Sequence, residues 1–173
     1  MFLKTYYPKE FYVAVINNFG GFYRTEFYFH ELRRNGGKIQ LPCLNHSDYL
    51  TNIRGEEVYV GFIHLQGLEE KFAKKIIEER RLNGDYQHLN DVLSRLNPGI
   101  EQLNLLIRIG ALRFTGLDKK TLLWEANFKS KKREMTVSNV LFVQEDVHFE
   151  LPRFEINRRE ELKDEMDLLG FVI

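Results

Sequence analysis

Apolar positions along the chain fall mostly at helical spacing. Phe72, Ala73, Ile76 and Ile77 mark one buried face, Leu103, Leu106 and Ile107 a second, and Leu122, Leu123 and Ala126 a third. A helix over Pro8 to Asn18 turns Phe11, Ala14 and Val15 inward, and Asn18 to Gly21 break it. Arg24 to Arg34 forms another, stopped by Asn35-Gly36-Gly37. Lys38 to Leu41 reads as a short strand entering Pro42. Ile53 to Val58 reads as a turn between two short strands, the second running to Gly61. A helix spans Leu89 to Leu96, between loops at Gly84-Asp85 and Asn97-Pro98-Gly99. Further on, Lys129 to Arg133 is a basic, solvated run that suits a linker, and Val137 to Phe142 is a short apolar segment. A last helix over Arg158 to Leu169 aligns Leu162, Met166 and Leu169. The predicted class is mainly α with small β elements.

Two glycine turns carry the candidate chemistry. Leu65-Gln66-Gly67-Leu68 leads straight into the helix that holds Ala73. Such a turn points free N–H groups outward at a helix start, where the helix dipole favours a phosphate. A small residue at Ala73 lets two helices approach closely. In the second turn the helix Ile100 to Ile109 ends at Gly110, a good C-cap. Ala111-Leu112-Arg113 follow, and Thr115-Gly116-Leu117-Asp118 open another helix with Asp118 as N-cap. Two such units imply a tandem helix-hairpin-helix, a module that grips nucleic-acid backbone without reading bases. An ordinary bundle of glycine-capped helices is the alternative on pattern alone.

Composition and charge narrow the picture. The 173 residues, 43% hydrophobic with 14 Phe and 8 Tyr, are enough for a real core. One cysteine leaves no internal disulfide framework and suits a reducing cytoplasm. No apolar run reaches the ~18–20 residues of a membrane span, so no membrane partner is expected. Net charge is zero, yet residues 67–133 hold 14 Lys and Arg against 9 Asp and Glu, and residues 134–173 hold 4 against 10. A basic middle and an acidic tail conceal a DNA-facing patch from the whole-chain average.

From Leu3 to about Leu123 the chain resembles the region that follows the catalytic palm in bacterial DNA polymerase III alpha subunits. Lys4-Thr5-Tyr6-Tyr7-Pro8-Lys9-Glu10-Phe11 is similar to a fingers segment of that family, and Leu41-Pro42 with Asn45 and Ser47 to one of its turns. Gly61-Phe62-Ile63-His64-Leu65-Gln66-Gly67-Leu68 resembles its strand and first hairpin. Ile76 to Arg80, Leu106 to Leu112 and Leu168-Leu169-Gly170-Phe171 follow in family order. The chain departs at Gln66 and Glu69, where the family has lysine and a second glycine, and at Cys43, which is often proline there. Glu69 suits a helix dipole but repels a phosphate. The departures move the expected DNA contact to the second hairpin or to flanking basic residues.

The resemblance implies the end of the fingers over residues 1–52, a tandem helix-hairpin-helix over 53–128, and a linker leading into a further domain over 129–173. It also implies double-stranded DNA as partner, held by its backbone during replication. The DNA-binding candidates are Gly67, Leu68, Lys74, Lys75, Arg108, Gly110, Arg113, Lys119 and Lys120. Ser138, Leu141 and Phe142 lie where the family carries a sliding-clamp-binding peptide, with Ser138 in place of glutamine. A buried strand is the rival for that segment, and a protein-interaction module the rival for the chain. Catalysis is not expected of it: no Asp-x-Asp pair occurs, and Asp164-Glu165-Met166-Asp167 reads as a solvated face. Cys43 and His46 lack further ligands, so no metal or cofactor is expected, and Cys43 reads as a core residue. Met1-Phe2-Leu3 and Phe171-Val172-Ile173 suit a piece of a larger polymerase.

Overall fold

The computed structural model describes residues 2–19, 22–138 and 158–173. The chain opens with α1 (Phe2–Tyr6), α2 (Pro8–Asn17) and α3 (Thr25–Arg34). Pro8 sits in the first turn of α2, where its missing N–H costs nothing. The buried side of α2 is Tyr12, Val13 and Ile16 rather than the expected Phe11, Ala14 and Val15. Residues 11–16 are all apolar, so their spacing marks no side, and packing against α3 and the sheet decides it.

Three short strands follow: β1 (Lys38–Gln40), β2 (Asn52–Arg54) and β3 (Glu57–Tyr59). Their order is β1-β3-β2. β3 lies parallel to β1, with Ile39 opposite Val58, and antiparallel to β2, with Ile53 opposite Val58. Gly55, at φ +60°, supplies the left-handed backbone that a two-residue hairpin loop needs. β3 ends two residues before Gly61, and Phe62–His64 forms a 3-10 turn instead. A side chain at Gly61 would strike the backbone of Leu50 and Thr51 at 2.4–2.5 Å.

The rest is helical: α4 (Glu70–Asn83), α5 (Leu89–Leu96), α6 (Ile100–Arg108), α7 (Lys119–Ser138) and α8 (Arg158–Leu169). Lys129 to Arg133, expected as a linker, lie inside α7. Leu162 and Met166 of α8 are exposed, while Glu165, Leu168 and Leu169 are buried, so the expected apolar stripe is not the packed face. One hydrophobic cluster runs from Ile16 and Phe29 through Phe62, Ile76, Leu106 and Ala126 to Phe171. A smaller one joins Tyr12, Val13 and Leu32 to Val58 of the sheet. Among the described residues no helix is long and apolar enough to cross a membrane.

The turn from Leu41 to Asp48 is pinned from below. The buried Arg80 guanidinium donates to the carbonyls of Leu44 and Ser47 at 2.8 Å and to Asp48 Oδ1 at 2.6 Å. Asn45 pairs with the backbone of Tyr86 through both ends of its amide at 2.9 Å. Ser47 Oγ accepts from the Cys43 N–H at 3.0 Å, and Leu44 N–H donates to the Ala111 carbonyl at 3.1 Å. Cys43 is a core residue, as expected. The turn thereby becomes a platform under the second glycine hairpin.

Candidate nucleic-acid interface: two glycine hairpins

The first hairpin folds as expected, but part of its backbone is already engaged. Gly67 takes φ +83°, which an L side chain rarely adopts. Gln102, from the first turn of α6, spans the turn: its Nε2 donates to the Gly67 carbonyl at 2.9 Å, and its Oε1 accepts from the Glu69 N–H at 3.0 Å. Gln66 N–H donates to the Leu168 carbonyl of α8 at 2.8 Å, and Leu68 N–H to Leu65. Three backbone donors of the turn, those of Gln66, Leu68 and Glu69, are therefore taken by α8, the turn itself and α6. Leu68 packs against the core. Ala73 is fully buried, as close helix packing requires.

Charge at this hairpin is also committed. Lys74 pairs with Glu70 one helical turn earlier and lies over the Tyr49 ring. Lys75 donates to the Leu96 carbonyl at 2.6 Å, closing the C-terminus of α5. Lys71, on the same helix and overlooked by the pattern argument, is exposed and joins no ion pair among the described residues. Exposure at the first turn of α4 is the signal that would have found it.

The second hairpin is built for close approach. Ala111 N–H donates to the Leu106 carbonyl and Gly110 N–H to that of Ile107, both at 2.9 Å. With Gly110 at φ +78° this is a Schellman ending to α6. Gly116, at φ +72°, turns the chain again, and Asp118 then caps α7 by accepting the Thr121 N–H at 3.0 Å. Burial pushes the Asp118 carboxyl up, but hydrogen bonds from the Thr121 hydroxyl and nearby backbone N–H groups outweigh it and hold it below its ordinary value. Asp118 is thus an anion at the start of a helix, where the dipole favours one.

Arg108, Gly110, Arg113, Lys119 and Lys120 line one groove of about 580 Å³ between this hairpin and α8. Gly67, Leu68, Lys74 and Lys75 do not reach it. Arg113 is anchored to the platform, donating to the carbonyls of Pro42 at 2.8 Å and Leu41 at 2.9 Å. The other cations face acids of α8. Arg108 binds Asp164 at 2.7 Å and Asp167 at 3.3 Å, Lys119 lies 3.8 Å from Asp164, and Lys120 lies 3.5 Å from Glu160. Asp164 to Asp167, expected as a solvated face, is so only in part: Met166 and Asp167 are exposed, but Asp164 is half-buried in its ion pairs and Glu165 is buried, accepting the Ile173 N–H at 2.8 Å. Sequence reasoning missed Gln102 and these α8 carboxylates; helical spacing of Glu160, Asp164 and Asp167 was their signal. Of the clamp candidates, Ser138 is the last residue of α7, while Leu141 and Phe142 lie outside the described residues.

The chain is similar to known polymerases. It is 30% identical to an error-prone DNA polymerase of Mycobacterium bovis over 126 residues, covering 71% of this chain and 12% of that protein. DNA polymerase III subunit alpha of Aquifex aeolicus is 28% identical over 176 residues, which cover 99% of this chain and 14% of that protein. The subunit alpha of Staphylococcus epidermidis is 26% identical over 189 residues, covering 99% of this chain and 17% of that protein. The chain thus spans 12–17% of the length of these relatives. A family model described as a helix-hairpin-helix motif matches residues 36–122, from the start of the sheet to the first turn of α7 and across both glycine turns. On that match, the chain belongs to the helix-hairpin-helix family.

Proposed function

We propose that the chain holds the sugar-phosphate backbone of double-stranded DNA, without reading bases, as a non-catalytic part of a larger DNA-directed DNA polymerase. The observation that carries this reading is the convergence of Arg108, Arg113, Lys119 and Lys120 around the Gly110 hairpin. A tight turn there brings backbone and cations to one surface, as phosphate contact demands. The relatives' names supply the polymerase, and the first hairpin, bridged by Gln102 and bearing Glu69, is structural in this reading. Lys71, exposed in the first turn of α4, adds a cation outside the groove.

Fluorescence anisotropy with two unrelated labelled duplexes tests it. Affinity is expected to be equal for both sequences. It should fall with added salt at a log–log slope of about −3 to −4, which is roughly −0.9 for each of the groove's cations. Sequence preference, or no binding at low salt even with Glu160, Asp164 and Asp167 neutralised, would reject the reading. A second role, docking against other polymerase segments, is favoured by the aromatic surface at the other end of the chain. Tyr6, Tyr7, Phe22, Tyr23 and Phe27 are all exposed there.

A further inference from the structure

The acids that line the groove share one helix and one spacing. Glu160, Asp164 and Asp167 form an i, i+4, i+7 row about 10 Å long on α8. Each is within ion-pair distance of a cation of the second hairpin. The two ends of α8 are held by different forces. Its last turn is seated in the core by Leu168 and Leu169, with Phe171 just beyond stacked on Phe29 at 5.2 Å. Its first two turns, residues 158–164, bury no apolar side chain: Leu162 is 37% exposed, and contact with the hairpin is made by charge. Surface ion pairs of this kind contribute little individually and weaken with salt.

We infer that the first half of α8 is an electrostatic clasp. Its carboxylates occupy the positions that DNA phosphates would take on Arg108, Lys119 and Lys120, and DNA must lift them to bind. The inference rests on the DNA-binding reading above. A row of carboxylates and a row of phosphates offer the same thing to these cations, negative oxygens at a spacing a few ångströms long, so the two compete. The apolar C-terminal turn keeps the displaced helix attached, which makes the exchange reversible. Competition also sharpens selection, because a weak anion cannot displace several carboxylates held on one rigid helix.

The test uses the full chain and a labelled duplex at low salt. One variant combines Glu160→Gln, Asp164→Asn and Asp167→Asn. A control combines Glu10→Gln, Glu26→Gln and Glu56→Gln, which makes the same change in net charge outside the groove. The clasp variant is expected to bind about tenfold tighter than wild type, with the control gaining much less. Amide hydrogen exchange provides a readout that a purely structural helix would not move: adding duplex to the wild type should speed exchange over residues 158–164 and leave 168–171 protected. Binding by the clasp variant where wild type shows none supports the inference most directly. Wild-type binding with no advantage for the clasp variant over the control overturns the clasp and leaves the DNA-binding reading standing. No binding by any of the three overturns both.

Discussion

Gln102 gives both ends of one amide to the Gly67 turn, so truncating it removes two hydrogen bonds at once. Gln102→Ala is expected to cost about 1 kcal/mol, read as a lower denaturant midpoint, because water can reach both released groups. Gly110→Ala has a different origin: it forces an L side chain into φ +78° and should cost about 1–2 kcal/mol in the same measurement. His64 tests burial by pH. Its ring contacts Phe19 and Phe29, shares a 3.1 Å hydrogen bond with the Thr51 hydroxyl, and is pushed down by burial to about 4. The folded state therefore keeps it neutral while the unfolded chain protonates near 6.5. The associated stability, up to about 3 kcal/mol, is complete above pH 6.5 and is lost as pH falls toward 4. His64→Gln should flatten the pH dependence of urea unfolding across that window. At this scale the sequence shows what is local. Gly67 and Gly110 stand out because a positive φ selects glycine. The partners of Gln102 and Asp164 are not legible, because they lie 35 and 56 residues away.

Helix ends were legible for the same reason that their faces were not. Asp118, Gly110 and Asn35-Gly36 announce boundaries through capping chemistry that needs only a few neighbours. Asp118→Ala is expected to cost about 1 kcal/mol by freeing the Thr121 N–H at the head of α7, measurable by thermal unfolding. A face, by contrast, is chosen by the partner. α2 is apolar on all sides over residues 11–16, so α3 and β2 select which residues are buried. In α8 the apolar spacing of Leu162, Met166 and Leu169 competes with the acidic spacing of Glu160, Asp164 and Asp167, and the cations of α6 and α7 decide for the acids. β3 stops early because Gly61 must pass against the backbone of Leu50 and Thr51.

At the scale of the molecule, part of the charge asymmetry seen in the sequence is paired: the acids of α8 face the cations of the second hairpin. The sequence held the charges but not their pairing, because Arg108 and its partners Asp164 and Asp167 lie 56 and 59 residues apart. One continuous core joins residues from Ile16 to Phe171, and unfolding is expected to be a single transition by every probe. Leu106→Ala, at its centre and fully buried, should cost 2–5 kcal/mol without splitting that transition. The stack of Phe29 on Phe171 has a kinetic consequence. It joins segments from opposite ends of the chain, and the loop it closes includes nearly every other element. Contacts so distant in sequence form after the local helical pairs, so the seating of the last helix belongs to the final descent to the native state. Phe171→Ala should then leave the refolding rate nearly unchanged and express its cost as faster unfolding, the signature of a φ-value near zero. The residue that holds α8 in place would set how long the folded module lasts, not how quickly it forms.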